Sequence, residues 1–142
     1  MSDSKELVLD ANIILRGVLG EAVGSLLDRF SNSVDFYIPD IALADARRHI
    51  PVQAARLHVE PAKLLLKLEL LEELVHVVHR VDYEIYESAA TNRIRMRDVS
   101  DWPMLATCLL LNAPFWTEDR DFFGCGLATW TTNNVGIYLR GD

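Results

Sequence analysis

The sequence predicts an α/β fold in which helices cover both faces of a central, mostly parallel β-sheet. Short apolar segments typical of buried strands alternate along the chain with longer segments of helical character. This alternation indicates parallel strands, because parallel neighbours need a crossover connection that is usually a helix. The 142 residues contain no repeat and no Gly/Ser/Pro-rich linker. We therefore expect residues 1–142 to form one domain.

The composition is that of a globular protein and argues against a general binder of polyanions. Half of the residues are hydrophobic, and 14 Lys and Arg residues stand against 21 Asp and Glu residues, for a net charge of -7. Non-specific affinity for nucleic acid comes mostly from basic side chains. The two cysteines indicate no disulfide framework, and no apolar run approaches ~18 residues. We expect a cytoplasmic protein without a signal peptide or a membrane span.

The N-terminal part of the chain predicts two strands and three helices. The unbroken apolar run Leu7-Val8-Leu9 fits a strand that is buried on both faces. Gly20 separates two helical stretches, and Pro39 stops a second strand. Asp40 is a suitable N-cap for a third helix, which Pro51 is expected to end. These elements are placed at residues 7–9, 12–19, 21–30, 34–38 and 40–50.

A leucine-rich helix is predicted from residue 61 to about residue 74. Its leucines form two stripes, Leu64, Leu68 and Leu71 on one side and Leu66, Leu70 and Leu74 on the other. This apolar surface is wider than a helix needs to cover one side of a core. The helix therefore either packs on two sides within the domain or presents a surface to a partner.

The remaining segments predict a further set of alternating strands and helices. Ser100 can cap a helix whose first turn contains Pro103, where the missing N–H costs little. Cys108 lies in an apolar stretch and is expected in the core, whereas Cys125 stands between two glycines and is expected in an exposed turn. Strands are placed at residues 75–81, 114–117, 127–131 and 135–139, and helices at residues 83–95 and 100–112.

Four aspartates are predicted to lie where parallel sheets carry their active sites, beyond the carboxyl ends of the strands. Asp10 follows the first strand, and Asp119 follows the strand at residues 114–117. Asp101 opens the helix that leads into that strand, and Asp45 lies in the helix after the second strand. Each also has a structural interpretation, as a helix cap, a first-turn charge, a turn residue or a solvated helix position.

A cluster of these carboxylates would require a cation. Two carboxylates ~4 Å apart repel each other by about 4 kcal/mol at an effective dielectric constant near 20. Oxygen ligands without thiolate or imidazole favour Mg²⁺ or Mn²⁺ over zinc. Such an ion activates water and stabilises charge on a phosphoryl oxygen. The cluster therefore predicts metal-assisted hydrolysis of a phosphodiester.

The motifs around these acids resemble those of the PIN domain family, which includes the VapC-type toxin ribonucleases. The resemblance rests on LVLDANII at residues 7–14, on DWPMLATCLLLNAPFWTEDRDF at residues 101–122, and on Pro39 followed six residues later by Asp45. It extends over nearly the whole chain. It implies a three-layer α/β/α sandwich and a Mg²⁺- or Mn²⁺-dependent endoribonuclease.

The resemblance assigns catalytic roles to the same four acids. Asp10, Asp101 and Asp119 would be the metal ligands, and Asp45 would complete the catalytic set in the place that the family usually gives to Glu. Because Asp is one methylene shorter than Glu, its contact with the site would pass through a water. A catalytically weak or inactive interaction module with this fold is therefore the alternative function.

Further roles follow from the resemblance. Asn12 and Thr117 would form hydrogen bonds within the site, and Asp121 would supply an outer carboxylate. Asp98 is an alternative acid, which we place on the loop before the site. VapC-type toxins pair with an antitoxin and often dimerise, so the resemblance implies an RNA substrate, an antitoxin partner and a homodimer.

Two other features allow more than one interpretation. Arg93, Arg95 and Arg97 alternate along the chain and either contact RNA phosphates or form a solvated helix end. A phosphotransfer receiver domain also gathers acids at the end of a parallel sheet, but it needs an acceptor aspartate on a central strand and a lysine on a later one. The second strand ends in Pro39 and no lysine follows Asp119. The sequence therefore favours the nuclease.

Overall fold

The computed structural model describes residues 5–94 and 98–141, and a five-stranded parallel sheet lies at its centre. The strands are β1 (Lys5–Leu9), β2 (Val34–Pro39), β3 (His76–Val78), β4 (Phe115–Trp116) and β5 (Thr129–Trp130). Their spatial order is β3-β2-β1-β4-β5, and every neighbouring pair is parallel. The predicted parallel sheet is confirmed.

Helices connect these strands. They are α1 (Ala11–Leu19), α2 (Ala22–Phe30), α3 (Asp40–Leu57), α4 (Pro61–Glu72), α5 (Arg80–Tyr83), α6 (Glu87–Ile94), α7 (Trp102–Leu111) and α8 (Val135–Arg140). Single 3₁₀ turns lie at Glu84–Tyr86, Val99–Asp101 and Arg120–Phe122. Within the described residues, no helix has both the length and the apolar character needed to cross a membrane.

Each face of the sheet has its own hydrophobic core. Leu7 and Leu9 point into a core shared with α1, α3 and α4, whereas Val8 points into the opposite core with α6 and α7. Successive side chains of a strand face opposite sides, so β1 must be apolar throughout to be buried by both helical layers. This arrangement confirms the three-layer α/β/α architecture.

Helix α3 does not end at Pro51, as the sequence predicted, but continues to Leu57 with the proline inside it. Its buried residues recur every four positions on both sides of the proline, at Ala42, Ala46, Ile50 and Ala54. One stripe of the helix therefore packs against the core along its whole length. This packing offsets the hydrogen bond that Pro51 cannot donate.

Asp40 is not the N-cap of α3, because Pro39 occupies that position and Asp40 lies in the first turn. The Asp40 carboxylate instead accepts hydrogen bonds from the Tyr83 hydroxyl at 2.8 Å and from the backbone N–H of Arg80 at 3.0 Å. These bonds connect the start of α3 to α5. Burial and the hydrogen bond to Asp40 raise the pKa of Tyr83 well above its ordinary value.

The two leucine stripes of helix α4 differ in their exposure to solvent. Leu64, Leu68 and Leu71 are buried, whereas Leu66 and Leu70 are 58% and 56% exposed. The first stripe is therefore core, as one of the two interpretations of this helix expected. In the second stripe, Leu66 and Leu70 present their side chains to solvent, whereas Leu74 lies beyond the end of the helix and is partly buried against the core.

Several predictions for the C-terminal part were wrong in detail. Residues 135–140 form helix α8 rather than a strand, because Val135 and Leu139 are buried with a helical spacing of four. Strand β3 ends at Val78, and α5 begins soon after it. The predicted helix at residues 83–95 is divided between α5, a 3₁₀ turn and α6, and residue 95 lies outside the described residues. Cys125 is buried in the core that contains Cys108, not exposed.

Candidate active site

The carboxyl ends of β1 and β4 lie at the point in the sheet where the strand order reverses. From β1 the chain proceeds to β2 and β3 on one side, whereas β4 and β5 lie on the other. Ligands of open parallel sheets bind at such a switch point. Asp10 directly follows β1, and Asp119 lies three residues after the last residue of β4. A cleft of about 110 Å³ opens between these segments.

All four of the predicted catalytic acids line this cleft, which we call the acidic cleft: Asp10, Asp45, Asp101 and Asp119. Asp45 comes from α3, and Asp101 comes from the N-cap position of α7. Met104 and Phe122 form apolar parts of the wall, and Asn12 is an exposed residue at its rim. Sequence reasoning did not select Met104 or Phe122, although both stand within the family motif.

Asp10 is buried and caps helix α1. Its Oδ1 accepts a hydrogen bond from the backbone N–H of Ile13 at 2.9 Å, and its Oδ2 accepts one from the Thr117 hydroxyl at 2.5 Å. Burial raises the pKa of Asp10 from its ordinary value to about 6, and the negative charge of Asp119 adds to the rise. The hydrogen bonds from Thr117 and Ile13 act in the opposite direction. Asp10 is therefore ionised at neutral pH in surroundings that disfavour its charge.

Thr117 connects the two sides of the acidic cleft. Its fully buried hydroxyl donates to Asp10 and accepts a hydrogen bond from the backbone N–H of Asp119 at 3.0 Å. The threonine therefore orients the carboxylate that follows β1 and fixes the backbone of the turn that follows β4. This contact gives a structural reason for the Thr-x-Asp pattern after the strand.

Asp45 interacts with Arg48, which the sequence, like its neighbour Arg47, left open between a contact to RNA phosphate and a solvated helix position. Its carboxylate forms an ion pair with Arg48, one helical turn later. Arg48 also borders a larger pocket of about 250 Å³ that shares Asp45, Asp101 and Met104 with the acidic cleft. The spacing of three residues on a helix was the available signal for this pair.

The donor atoms of the acidic cleft fit a divalent ion that keeps part of its water shell. Its ionisable ligands are all carboxylates, which suits Mg²⁺ or Mn²⁺. In the part of the chain that the structure describes, however, no three His, Cys, Asp or Glu side chains lie close enough to surround one metal ion. Because Mg²⁺ is usually held by one or two carboxylates and several waters, the described spacing fits a hydrated ion. Direct ligation by Asp10, Asp101 and Asp119 together stays a prediction.

The other predicted residues occupy different positions. Asp98 accepts hydrogen bonds from Ser100 N–H at 3.0 Å and Ser100 Oγ at 2.6 Å, so it caps the 3₁₀ turn before α7, on the loop where it was placed. These bonds lower its pKa. Ser100 does not cap α7, whose N-cap position is Asp101. Arg93 donates to the carbonyl of Cys125 at 3.0 Å, and the Asp121 side chain, Arg95 and Arg97 lie outside the described residues.

Fold and site together define an α/β/α protein with a parallel sheet and an acidic cleft at its switch point. A family model described as the PIN domain matches residues 8–140. The chain belongs to the PIN domain family.

Solved structures of three other proteins share this fold. PAE2754 from Pyrobaculum aerophilum has a TM-score of 0.74 at 13% identity, over 99% of this chain and 93% of that one. VapBC2 from Rickettsia felis, bound to a DNA fragment from its promoter, has a TM-score of 0.70 at 12% identity, over 89% and 98%. A toxin–antitoxin complex from Klebsiella pneumoniae has a TM-score of 0.64 at 18% identity, over 89% and 97%. Comparison with curated proteins finds no match.

Proposed function

We propose that the protein is a divalent-metal-dependent endoribonuclease and the toxin of a toxin–antitoxin pair. The observation that carries this proposal is the acidic cleft, in which four aspartates from separate segments line one opening at the switch point of the sheet. Membership of the PIN domain family supports a nuclease. The likeness of its fold to VapBC2 and to the Klebsiella toxin–antitoxin complex supports the toxin assignment.

In this mechanism Asp10, Asp101 and Asp119 would hold Mg²⁺ or Mn²⁺. When bound, the ion supplies a Lewis acid for the phosphate and a water of lowered pKa as the nucleophile. Thr117 keeps the Asp10 carboxylate and the backbone of Asp119 in register. Asp45 would act through a water.

We also infer an antitoxin partner, a homodimer and a cytoplasmic location. Leu66 and Leu70 are more than half exposed on α4, and this apolar surface is available for contact with a second protein chain. The overall charge of -7 is compatible with a basic partner segment, because opposite charges steer association.

The test of the nuclease is cleavage of labelled structured and unstructured RNAs by the purified protein. Cleavage is expected with Mn²⁺ or Mg²⁺ and is expected to stop in EDTA. Asp10→Asn should reduce the rate roughly 100-fold or more, since even outer-shell changes at metal sites cost 10–100-fold. Asp28→Asn, an exposed position on α2 outside the acidic cleft, is the matched control and should retain the wild-type rate. Cleavage that survives EDTA and Asp10→Asn would contradict the proposal.

A second candidate is an interaction module that has lost efficient metal binding. The ion pair between Asp45 and Arg48 favours it, because it occupies one acid of the cleft with a protein cation. Failure to cleave any RNA, combined with failure to bind Mn²⁺ in calorimetry, would support this module over the enzyme.

A further inference from the structure

The Asp45 side chain borders two openings of the site. One is the acidic cleft, and the other is the neighbouring pocket of about 250 Å³, which we call the side pocket. Asp45, Asp101 and Met104 line both openings, whereas Arg48 lines the side pocket and Asp119 lines the acidic cleft. Asp45 therefore borders both a protein cation and the proposed metal site.

Helix α3 brings Asp45 and Arg48 together. The two residues are three positions apart, so their side chains lie on the same face of the helix. The guanidinium group of Arg48 donates to Oδ1 of Asp45. The Asp45 and Arg48 side chains are 38% and 74% exposed, so water and dissolved ions reach the pair. An exposed ion pair is weak enough for a second cation to compete with it.

Of the basic residues at positions 47–49, Arg48 contacts the Asp45 side chain most directly. The Nδ1 atom of His49 is 4.0 Å from Oδ1 of Asp45 and instead contacts the Asp45 backbone carbonyl at 2.8 Å. Arg47 forms an ion pair with Glu72 at the end of α4. Adjacent arginines of one helix thus pair with carboxylates in different places, Arg48 at the acidic cleft and Arg47 outside it.

The ion pair reduces what Asp45 offers to a divalent ion. A carboxylate that accepts hydrogen bonds from a guanidinium group has part of its charge compensated, so it attracts a further cation less strongly. An ion that binds near Asp45 must also weaken or replace the contact with Arg48. The other three aspartates of the acidic cleft then have to supply more of the attraction.

We propose that Arg48 is a positioning residue of the acidic cleft, which keeps the Asp45 carboxylate paired within α3 and thereby lowers the affinity of the cleft for its divalent ion. This role rests on the proposed function, because it requires a metal site in the cleft. It belongs to the free protein and is separate from any contact with RNA. The cleft should therefore fill at a higher concentration of free metal than its four aspartates alone would require.

The experiment is a calorimetric titration of the purified, RNA-free protein with Mn²⁺ at low salt. Arg48→Gln removes the cation and should bind Mn²⁺ about two- to fivefold more tightly, the range that an exposed ion pair is worth. Arg48→Lys keeps the charge and should stay close to wild type. In 1 M KCl, where the Debye length is about 3 Å, the difference between wild type and Arg48→Gln should shrink.

Arg47→Gln is the control with the same change in net charge at the neighbouring position. Its partner Glu72 lies outside the acidic cleft, so the Mn²⁺ affinity should remain at the wild-type value. An equal gain in affinity from Arg47→Gln and Arg48→Gln would show that only net charge matters and would overturn the proposal.

A double-mutant cycle tests whether Arg48 acts through Asp45. In Asp45→Asn no carboxylate is left for Arg48 to compensate, so the addition of Arg48→Gln should leave the Mn²⁺ affinity unchanged. A gain as large as that in the wild-type background would show that the charge of Arg48 acts on the cleft directly, and it would overturn the positioning role.

The remaining outcomes separate this role from the nuclease. Equal Mn²⁺ affinities of wild type and Arg48→Gln would overturn the role of Arg48 and leave the metal site in place. Binding by Arg48→Gln but not by wild type would support the role, since the arginine would then keep a competent site empty. Failure of both proteins to bind Mn²⁺, with circular dichroism showing that both are folded, would overturn the metal site and the role of Arg48 together.

Discussion

Asp10 serves the fold and the site with the same carboxylate. It caps α1 through the N–H of Ile13 and receives the hydroxyl of Thr117. Yet burial raises its pKa to about 6, above its ordinary value of 3.8. The residue that we propose as a metal ligand is therefore held in a charged state that the fold itself disfavours. A tension of this kind between stability and activity is common at functional sites.

Asp10→Asn should therefore change stability in a pH-dependent way. The pKa of Asp10 is higher in the folded state, so the fold favours the protonated carboxyl group. The stability that this preference contributes is complete below pH 4 and is lost as the pH rises through 6. The difference between the ordinary pKa of 3.8 and the folded pKa of about 6 corresponds to ~3 kcal/mol. Asn keeps an N-cap acceptor without the charge. In metal-free urea denaturation, the variant should gain about 2–3 kcal/mol relative to wild type between pH 4 and pH 7.5.

The matched control for this prediction is Asp28→Asn, which removes an exposed carboxylate. Its effect on the free energy of unfolding should stay nearly constant over the same pH range. An Asp10→Asn difference that is equally constant would mean that the carboxylate is not destabilised by burial.

Thr117→Val should damage the site more than its size suggests. The substitution keeps the shape of the side chain but removes the donor to Asp10 and the acceptor for the Asp119 N–H. We expect a loss of about 1–3 kcal/mol in the free energy of unfolding. The acid limb of the cleavage pH profile should move to higher pH, because the Thr117 hydrogen bond lowers the pKa of Asp10. Thr117→Ser keeps the hydroxyl and should preserve the profile; a profile unchanged in the Val variant would contradict this role.

At the residue scale, the sequence placed the acids well and their neighbours poorly. Asp10 and Asp119 could be located because each follows an apolar strand. The ion pair of Asp45 with Arg48 and the burial of Cys125 could not be located. The three-residue spacing on α3 allows the ion pair but does not select it among the other neighbours of Asp45. The burial of Cys125 depends on how a glycine-flanked turn folds back on the core, which local spacing does not encode.

At the scale of elements, the clearest errors came from treating a local signal as decisive. Pro51 is a helix breaker by propensity, yet the buried stripe of α3 continues past it. The segment at residues 135–139 contains β-branched and aromatic residues, yet the spacing of Val135 and Leu139 buries one helix face. In both cases tertiary packing outweighs propensity. By contrast, β1 and α1 were predicted closely because apolar pattern and capping residue agree.

Pro51→Ala should stabilise the protein. Alanine restores a backbone donor within α3 and removes the clash of the proline ring with the preceding turn, which together cost about 3 kcal/mol in a helix interior. The more flexible unfolded chain offsets ~1 kcal/mol of this gain. We expect a net increase of about 1–2 kcal/mol in chemical denaturation. The control Val52→Ala, at the exposed neighbouring position, should change stability by less than ~0.5 kcal/mol. A destabilised Pro51→Ala would show that the proline contributes more to packing or to restriction of the unfolded chain than its missing hydrogen bond costs.

At the scale of the whole molecule, the buried leucines of α4 bear on stability and its exposed leucines bear on association. Leu68 is fully buried, so Leu68→Ala should cost about 2–5 kcal/mol. The double variant Leu66→Glu, Leu70→Glu changes only exposed positions and should leave the unfolding free energy nearly unchanged. If Leu66 and Leu70 belong to the homodimer surface, this variant should be monomeric in sedimentation equilibrium at concentrations where wild type is dimeric. A double variant that remains dimeric would show that Leu66 and Leu70 do not form the homodimer surface.

Charge is also distributed unevenly over the whole molecule. The net value of -7 predicts weak non-specific binding of nucleic acid, whereas the four aspartates of the acidic cleft concentrate negative charge at one edge of the sheet. Composition could report the first property but not the second, because only the folded chain brings the four aspartates to one cleft. The three-layer fold itself was accessible from sequence, since strand and helix periodicities alternate throughout.

The central claim is that the carboxylates at the switch point hold a divalent ion. It is tested most directly by soaking crystals of the protein in Mn²⁺ and recording anomalous diffraction at the manganese edge. We predict a peak between the carboxylates of Asp10, Asp101 and Asp119, with waters completing the coordination, and no peak at this position in Asp10→Asn. An empty cleft at saturating Mn²⁺, or a peak bound only elsewhere, would contradict the claim.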